Sequence, residues 1–162
     1  MTEHYESGAV ERELAEHGSF ASITKGVSMQ PLFRTRRDMI VISAVERPLK
    51  KYDVVLYRGN GGEYILHRII KIGKDFYVIR GDNTYSKEYV PREKIIGILT
   101  SYNRQGKHGS PDSFSFKFYS RIWHYLYPVR YLFVRTRAPL ARAYRKMFPK
   151  KKSAQGEKNT II

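Results

Sequence analysis

One serine, one histidine and two acids stand in settings that suit acyl transfer. Ser28 lies in Gly26-Val27-Ser28-Met29-Gln30-Pro31. A glycine two residues before it permits a turn that exposes the hydroxyl, and Pro31 restricts the exit. A serine hydroxyl is a weak nucleophile until a base takes its proton, and that base must be held in one tautomer. His67 is the candidate base. It sits in Tyr64-Ile65-Leu66-His67-Arg68-Ile69-Ile70, where a period of two puts Ile65, His67 and Ile69 on one face of a strand. Partial desolvation between two isoleucines suits a general base working near neutral pH. Asp82 follows in Arg80-Gly81-Asp82-Asn83, and Glu88 comes six residues later. Either acid could orient the imidazole. The Ser28 N–H is a candidate oxyanion donor. Singly, these are a turn serine, a half-buried strand histidine and a common turn. Their order and settings together carry the inference. The chemistry needs no metal and no organic cofactor. The absence of cysteine excludes thiol nucleophiles, disulfides and thiolate metal sites.

Short strands must position these groups. Phe20–Lys25, Asp38–Ile42, Asp53–Tyr57, Tyr64–Ile72, Phe76–Arg80 and Ile95–Tyr102 read as strands. Gly59-Asn60-Gly61-Gly62 is a hairpin signal, because glycine and asparagine accept positive φ. The expected class is mainly β, a coiled, barrel-like sheet with a basic helical segment at the C-terminal end. The expected organisation is a short helix or acidic leader over 1–18, started at Ser7 or Gly8 with Val10 and Leu14 on one face and Gly18 at its end. A β domain over 19–102, a linker over 103–113 and an aromatic, basic segment with a tail over 114–162 follow.

Charge is concentrated at that end. The 162-residue chain carries a formal +15, and eleven of its thirty lysines and arginines lie between Phe114 and Lys152, where no acid occurs. The other nineteen face all fifteen acids, so the β domain is nearly balanced. Basic residues such as Lys117, Arg121, Arg130 and Arg135 interleave with Phe114, Phe118, Trp123 and Tyr131. That composition suits an anionic membrane surface, with nucleic acid as the competing partner and a solvated helical cap as the plain reading. The first twenty residues are acidic and lack the apolar run of a signal peptide. The longest uncharged apolar stretch near the C-terminal end, Ile122–Val129, is far short of the ~20 residues that span a bilayer. The expected location is cytoplasmic, with peripheral attachment to a membrane.

The ordered motifs resemble a family. Gly26-Val27-Ser28-Met29-Gln30-Pro31 is similar to the nucleophile box of signal peptidases. Arg37-Asp38-Met39-Ile40-Val41-Ile42 and Tyr52-Asp53-Val54-Val55 are similar to its two Gly-Asp-strand elements, with Arg37 and Tyr52 in place of glycine. Leu66-His67-Arg68-Ile69 resembles the base box, Arg80-Gly81-Asp82-Asn83 the acidic box and Ile96-Gly97-Ile98-Leu99 the closing strand. The resemblance covers roughly 19–100 and implies a serine endopeptidase of the signal-peptidase clan. In this family the base divides the subtypes. Bacterial-type signal peptidases and self-cleaving repressors use lysine, and the endoplasmic-reticulum and archaeal type uses histidine, which His67 matches. That type has a second acid where Glu88 stands, there an aspartate. The implied substrate is a peptide or protein with a cleavable leader. A repressor-type regulator would need a lysine base and a DNA-binding domain, for which 1–18 is too short. A non-catalytic signal-peptidase-like domain that binds nucleic acid or anionic membrane is the alternative from a different class.

Overall fold

The computed structural model describes residues 8–135. In chain order these form α1 (Ala9–His17), β1 (Ser19–Ile23), β2 (Met39–Ser43), β3 (Val54–Arg58), β4 (Tyr64–Ile72), β5 (Phe76–Arg80) and β6 (Glu88–Pro91). A 3₁₀ turn over Arg92–Lys94, β7 (Ile95–Arg104), β8 (Lys107–Gly109) and α2 (Phe114–Tyr125) complete them. The protein is mainly β. Its strands form one eight-stranded sheet in the order β1-β2-β7-β3-β4-β5-β6, with β8 paired to β7. Every pairing is antiparallel.

Register shifts in the β2–β7, β3–β7 and β4–β5 ladders supply the coiling. An extra residue on one strand bends it and increases its twist. The two faces carry separate cores. One gathers Val10, Leu14, Phe33, Ile40, Ile42, Leu56 and Phe116, and the other Val55, Tyr57, Ile69, Ile79, Val90 and Ile98. Adjacent β3 residues thus serve opposite cores, as a period of two requires.

α1 is bounded by Gly8 and Gly18, both at positive φ, and buries Val10 and Leu14 as their spacing predicts. The part of the leader over 1–7 lies outside the described residues. Glu11 fixes the helix from outside the core. It accepts from Arg58 Nη2 and, at 2.6 Å, from the Tyr64 hydroxyl.

Two stretches differ from their sequence reading. Residues 103–113, linker-like in composition, begin with the end of β7 and the tight β7–β8 hairpin. Gln105 and Gly106, at φ 53° and 80°, form its turn. Glycine-rich polar composition marks a tight hairpin as readily as a linker. β6, which carries Glu88, was not anticipated, because four residues ending in proline give almost no periodic signal.

α2 begins where Ser113 Oγ accepts the Phe116 N–H, a side-chain N-cap. It packs on the sheet through Phe116 and Ser120. The chain divides after Tyr125 into two compact units. In the second, residues 127–135 are helical, and the tail beyond 135 lies outside the described residues.

Candidate active site

Ser28 lies on the loop between β1 and β2, and that loop is closed at its neck. Thr24 N donates to Asp38 O at 2.9 Å, and Thr24 Oγ1 lies 2.8 Å from Arg34 O and 3.0 Å from Asp38 O. The Asp38 carboxylate is fully buried. It accepts from Arg34 N at 2.8 Å and from Arg37 Nε and Nη2 at 2.7 and 3.0 Å. Burial alone would raise its pKa, but these donors hold it below the usual carboxylate value. Asp38 therefore acts as a staple under the Ser28 loop. Asp53 does similar work in the next loop, accepting from both Arg47 Nη atoms and from Lys50 N. Tyr52, in place of glycine, adopts φ 79° and carries the strain that a glycine there would avoid.

Gly26 turns the loop at φ 78°, and Met29, Leu32 and Phe33 anchor it in the core. Ser28 remains partly exposed. Among the described residues, its hydroxyl and its N–H have no hydrogen-bond partner. The loop is also tied from the far side, where Asn83 N donates to Ser28 O at 2.7 Å and Asn83 Nδ2 to Val27 O at 3.2 Å.

His67 is buried on β4 and pairs with Val55. Tyr57 pairs with Ile65, so Tyr57 and His67 are diagonal neighbours on one sheet face. Ile69 pairs with Ile79, and Ile79 with Glu88, which brings Glu88 to that same face. Glu88 Oε1 lies 3.0 Å from His67 Nδ1. The Tyr57 hydroxyl donates to Glu88 Oε2 at 2.5 Å, and its oxygen stands 3.2 Å from Nδ1. With the tyrosine proton committed to the carboxylate, Nδ1 is flanked by two acceptors. The proton of a neutral ring therefore belongs on Nδ1, leaving the Nε2 lone pair free. Burial pushes the His67 pKa below the ordinary histidine value despite the raising effect of Glu88. The Nδ1–Glu88 contact is thus a hydrogen bond from a neutral ring rather than an ion pair. Tyr57 is pushed well above its ordinary pKa by burial and by Glu88, so it remains a donor.

The Nε2 side faces the Ser28 loop, and Gly81 measures how close. A Cβ built on Gly81 would lie 2.7 Å from Ser28 O and 2.9 Å from His67 Nε2. The two groups converge on a space that only glycine leaves open.

Of the two candidate acids, Glu88 joins the histidine and Asp82 does not. Arg68 follows His67 on β4 and therefore projects to the other face. There its Nε and Nη2 donate to Asp82 Oδ1 and Oδ2, each at 2.8 Å. Both residues are almost fully buried. Burial opposes the Arg68 charge, but Asp82 overrides it and raises the arginine pKa. α2 completes this cluster. Ser120 Oγ accepts from Arg68 Nη1 at 2.6 Å, the Tyr119 hydroxyl donates to Asp82 Oδ2 at 3.2 Å, and Trp123 Nε1 donates to Asp82 O at 2.8 Å. Asp82 thus locks the Gly81–Asn83 turn that supports Ser28. Tyr57, Arg68 and this inner face of α2 were not singled out from sequence. Nothing in a strand tyrosine or strand arginine marks its partners before the register is known.

A groove of about 550 Å³ opens beside Ser28, lined by Phe20, Ile23, Met29, Phe33, Tyr64 and Leu66 among others. Two unpaired strand edges border it. Among the described residues, β1 pairs only with β2, and β5 pairs with β4 only from Arg68 onward, which leaves one side of Tyr64–His67 without a neighbouring strand. Among the described residues, no cluster of histidine and acids could hold a metal ion. No helix there is long and apolar enough to cross a membrane.

The model of the Peptidase S24-like family matches residues 2–100, more than half of the chain, from before α1 to the middle of β7, a stretch that holds Ser28, His67, Asp82 and Glu88. No curated protein matches the chain.

Proposed function

The chain belongs to the Peptidase S24-like family, and on that premise we propose that it is a serine endopeptidase of the histidine type, with Ser28 as nucleophile, His67 as base and Glu88 as orienting acid. The observation that carries this reading is the histidine's two-sided setting. Nδ1 is held by Glu88 and Tyr57, and Nε2 faces the Gly81–Ser28 junction. The depressed pKa supports the same role, because the ring is neutral and able to accept a proton at neutral pH.

In the first half-reaction Ser28 Oγ attacks the scissile carbonyl carbon while its proton passes to His67 Nε2. The Ser28 N–H, which has no partner among the described residues, is available to the oxyanion. Collapse of the tetrahedral intermediate breaks the C–N bond, and His67 gives its proton to the leaving amine. Water then repeats the sequence on the acyl-serine and releases the acid. Glu88 balances the imidazolium that forms in each half. Tyr57 is a positioning residue acting through Glu88.

The free edges beside the groove suit an extended peptide, whose backbone would pair there while its side chains enter the apolar groove. A leader or precursor peptide is the substrate class that the motif resemblance supports. The test combines labelling by an acylating serine-hydrolase probe with cleavage of a leader-bearing precursor. Wild-type protein should acylate on Ser28, and Ser28→Ala should lose both labelling and cleavage at an unchanged melting temperature. Cleavage retained by folded Ser28→Ala would overturn the assignment.

A further inference from the structure

We propose that the outward face of α2 is a docking surface for an anionic lipid bilayer. The helix carries apolar side chains on two sides, and the sheet accounts for only one. Phe116, Tyr119, Ser120 and Trp123 face the sheet and the Arg68–Asp82 cluster. Phe114, Phe118, Ile122 and Tyr125 are exposed, Phe114 and Tyr125 by 81% and 72%. At 100° per residue these four fall in a stripe roughly 80° wide along a helix about 18 Å long. The Phe114 and Phe118 rings stack on each other at 5.9 Å, out in solvent.

Charge selects the occupant. Lys117 and Arg121 run along one margin of the stripe, and α2 contains no acid. Among the described residues, the one acid paired to that margin is Asp112, which lies 3.1 Å from Lys117 Nζ. Both partners are exposed, so the pair is weak and yields readily to a field of lipid phosphates. The sequence stays free of acids through Lys152. An apolar stripe bordered by cations, with tyrosine at one end, matches the boundary between acyl chains and negatively charged headgroups. Such a surface binds by inserting rings and pairing charges together. Nucleic acid would need the cations first, and its affinity would collapse in salt.

The inner face of the same helix gives the docking a consequence. Trp123 and Tyr119 grip Asp82, whose turn holds the Ser28 loop through Asn83. A bilayer bound to α2 would therefore sit one helix away from the nucleophile's support.

The full chain can be floated with vesicles of phosphatidylcholine, with or without phosphatidylserine, alongside a Phe114→Ser/Phe118→Ser variant. Wild type should float with the phosphatidylserine vesicles, and raised salt should weaken binding without abolishing it. The double variant should partition at least roughly tenfold less, given what burying one phenylalanine contributes. Its melting temperature should not move, because both rings are exposed. The proposal is overturned if wild type fails to float, or if the double variant floats equally well. It is also overturned if a single-stranded oligonucleotide strips both proteins from the vesicles alike. Flotation requires no turnover, so this outcome is independent of the Ser28 assignment.

Discussion

Replacing Glu88 by glutamine separates the two acids that the motifs leave equivalent. Glu88 Oε1 stands 3.0 Å from His67 Nδ1, and positive charge appears on the ring only when Ser28 loses its proton. With charge centres about 4 Å apart and an effective dielectric near 20, the attraction is about 4 kcal/mol. The glutamate side chain is one-third exposed. Solvent and salt reduce the attraction to roughly half, about 2 kcal/mol, or about thirtyfold in rate. Glutamine can also turn an N–H toward Nδ1 and favour the wrong tautomer, which brings the expected loss to roughly 10²–10³. The assay is the pH dependence of Ser28 acylation or of kcat/KM, with a thermal melt on the same sample. Glu88 raises the histidine pKa, so its neutralisation should move the acid limb to lower pH while the melting temperature stays near wild type. Asp82→Asn should act mainly on stability. It breaks a buried bidentate pair, costs about 3–5 kcal/mol of stability and moves the acid limb less than Glu88→Gln does, because Asp82 raises the histidine pKa less than Glu88. An active Glu88→Gln with an unmoved acid limb, together with a stable but inert Asp82→Asn, would refute this division of roles.

Tyr57→Phe should slow acylation by roughly ten- to a hundredfold, because it removes a partly buried hydrogen bond to a carboxylate. The loss should fall on kcat, and the acid limb should shift as the Glu88 carboxylate is freed to move. Gly81→Ala should abolish labelling of Ser28, since its methyl would displace either Ser28 O or the imidazole; a crystal structure or histidine NMR shifts would show which one moves. Stability should decline in mild acid. His67 and His124 are both held below the ordinary histidine value by burial, so the folded state favours their neutral forms. Their contribution is complete above the unfolded value of about 6.5 and is lost as pH falls through the folded values. Urea titrations across that range should show a slope that becomes shallower in His67→Gln.

Much of the fold was legible because its strands carry their own signals. Val54–Tyr57 and Tyr64–Ile72 are β-branched and aromatic runs on either side of a glycine-rich turn, and the structure pairs them across that turn. α1 was legible from Val10, Leu14 and two flanking glycines. The β7–β8 hairpin and β6 were not, because turn composition is shared with linkers and a four-residue strand has no measurable period.

By itself the sequence determined the chemistry on offer: an exposed turn serine, a histidine between isoleucines, and acids at 82 and 88 in a family-like order. It also determined that positive charge and aromatic rings gather beyond residue 114. Only the tertiary structure decided which acid stands beside the histidine. His67 and Arg68 are adjacent in sequence but face opposite sides of β4, so each claims a different carboxylate. Glu88 is aligned with His67 through the β4–β5–β6 register, and Asp82 is taken by Arg68 under α2. Parity along a strand is local and readable, whereas register between strands is set by loops, bulges and packing far away in the chain.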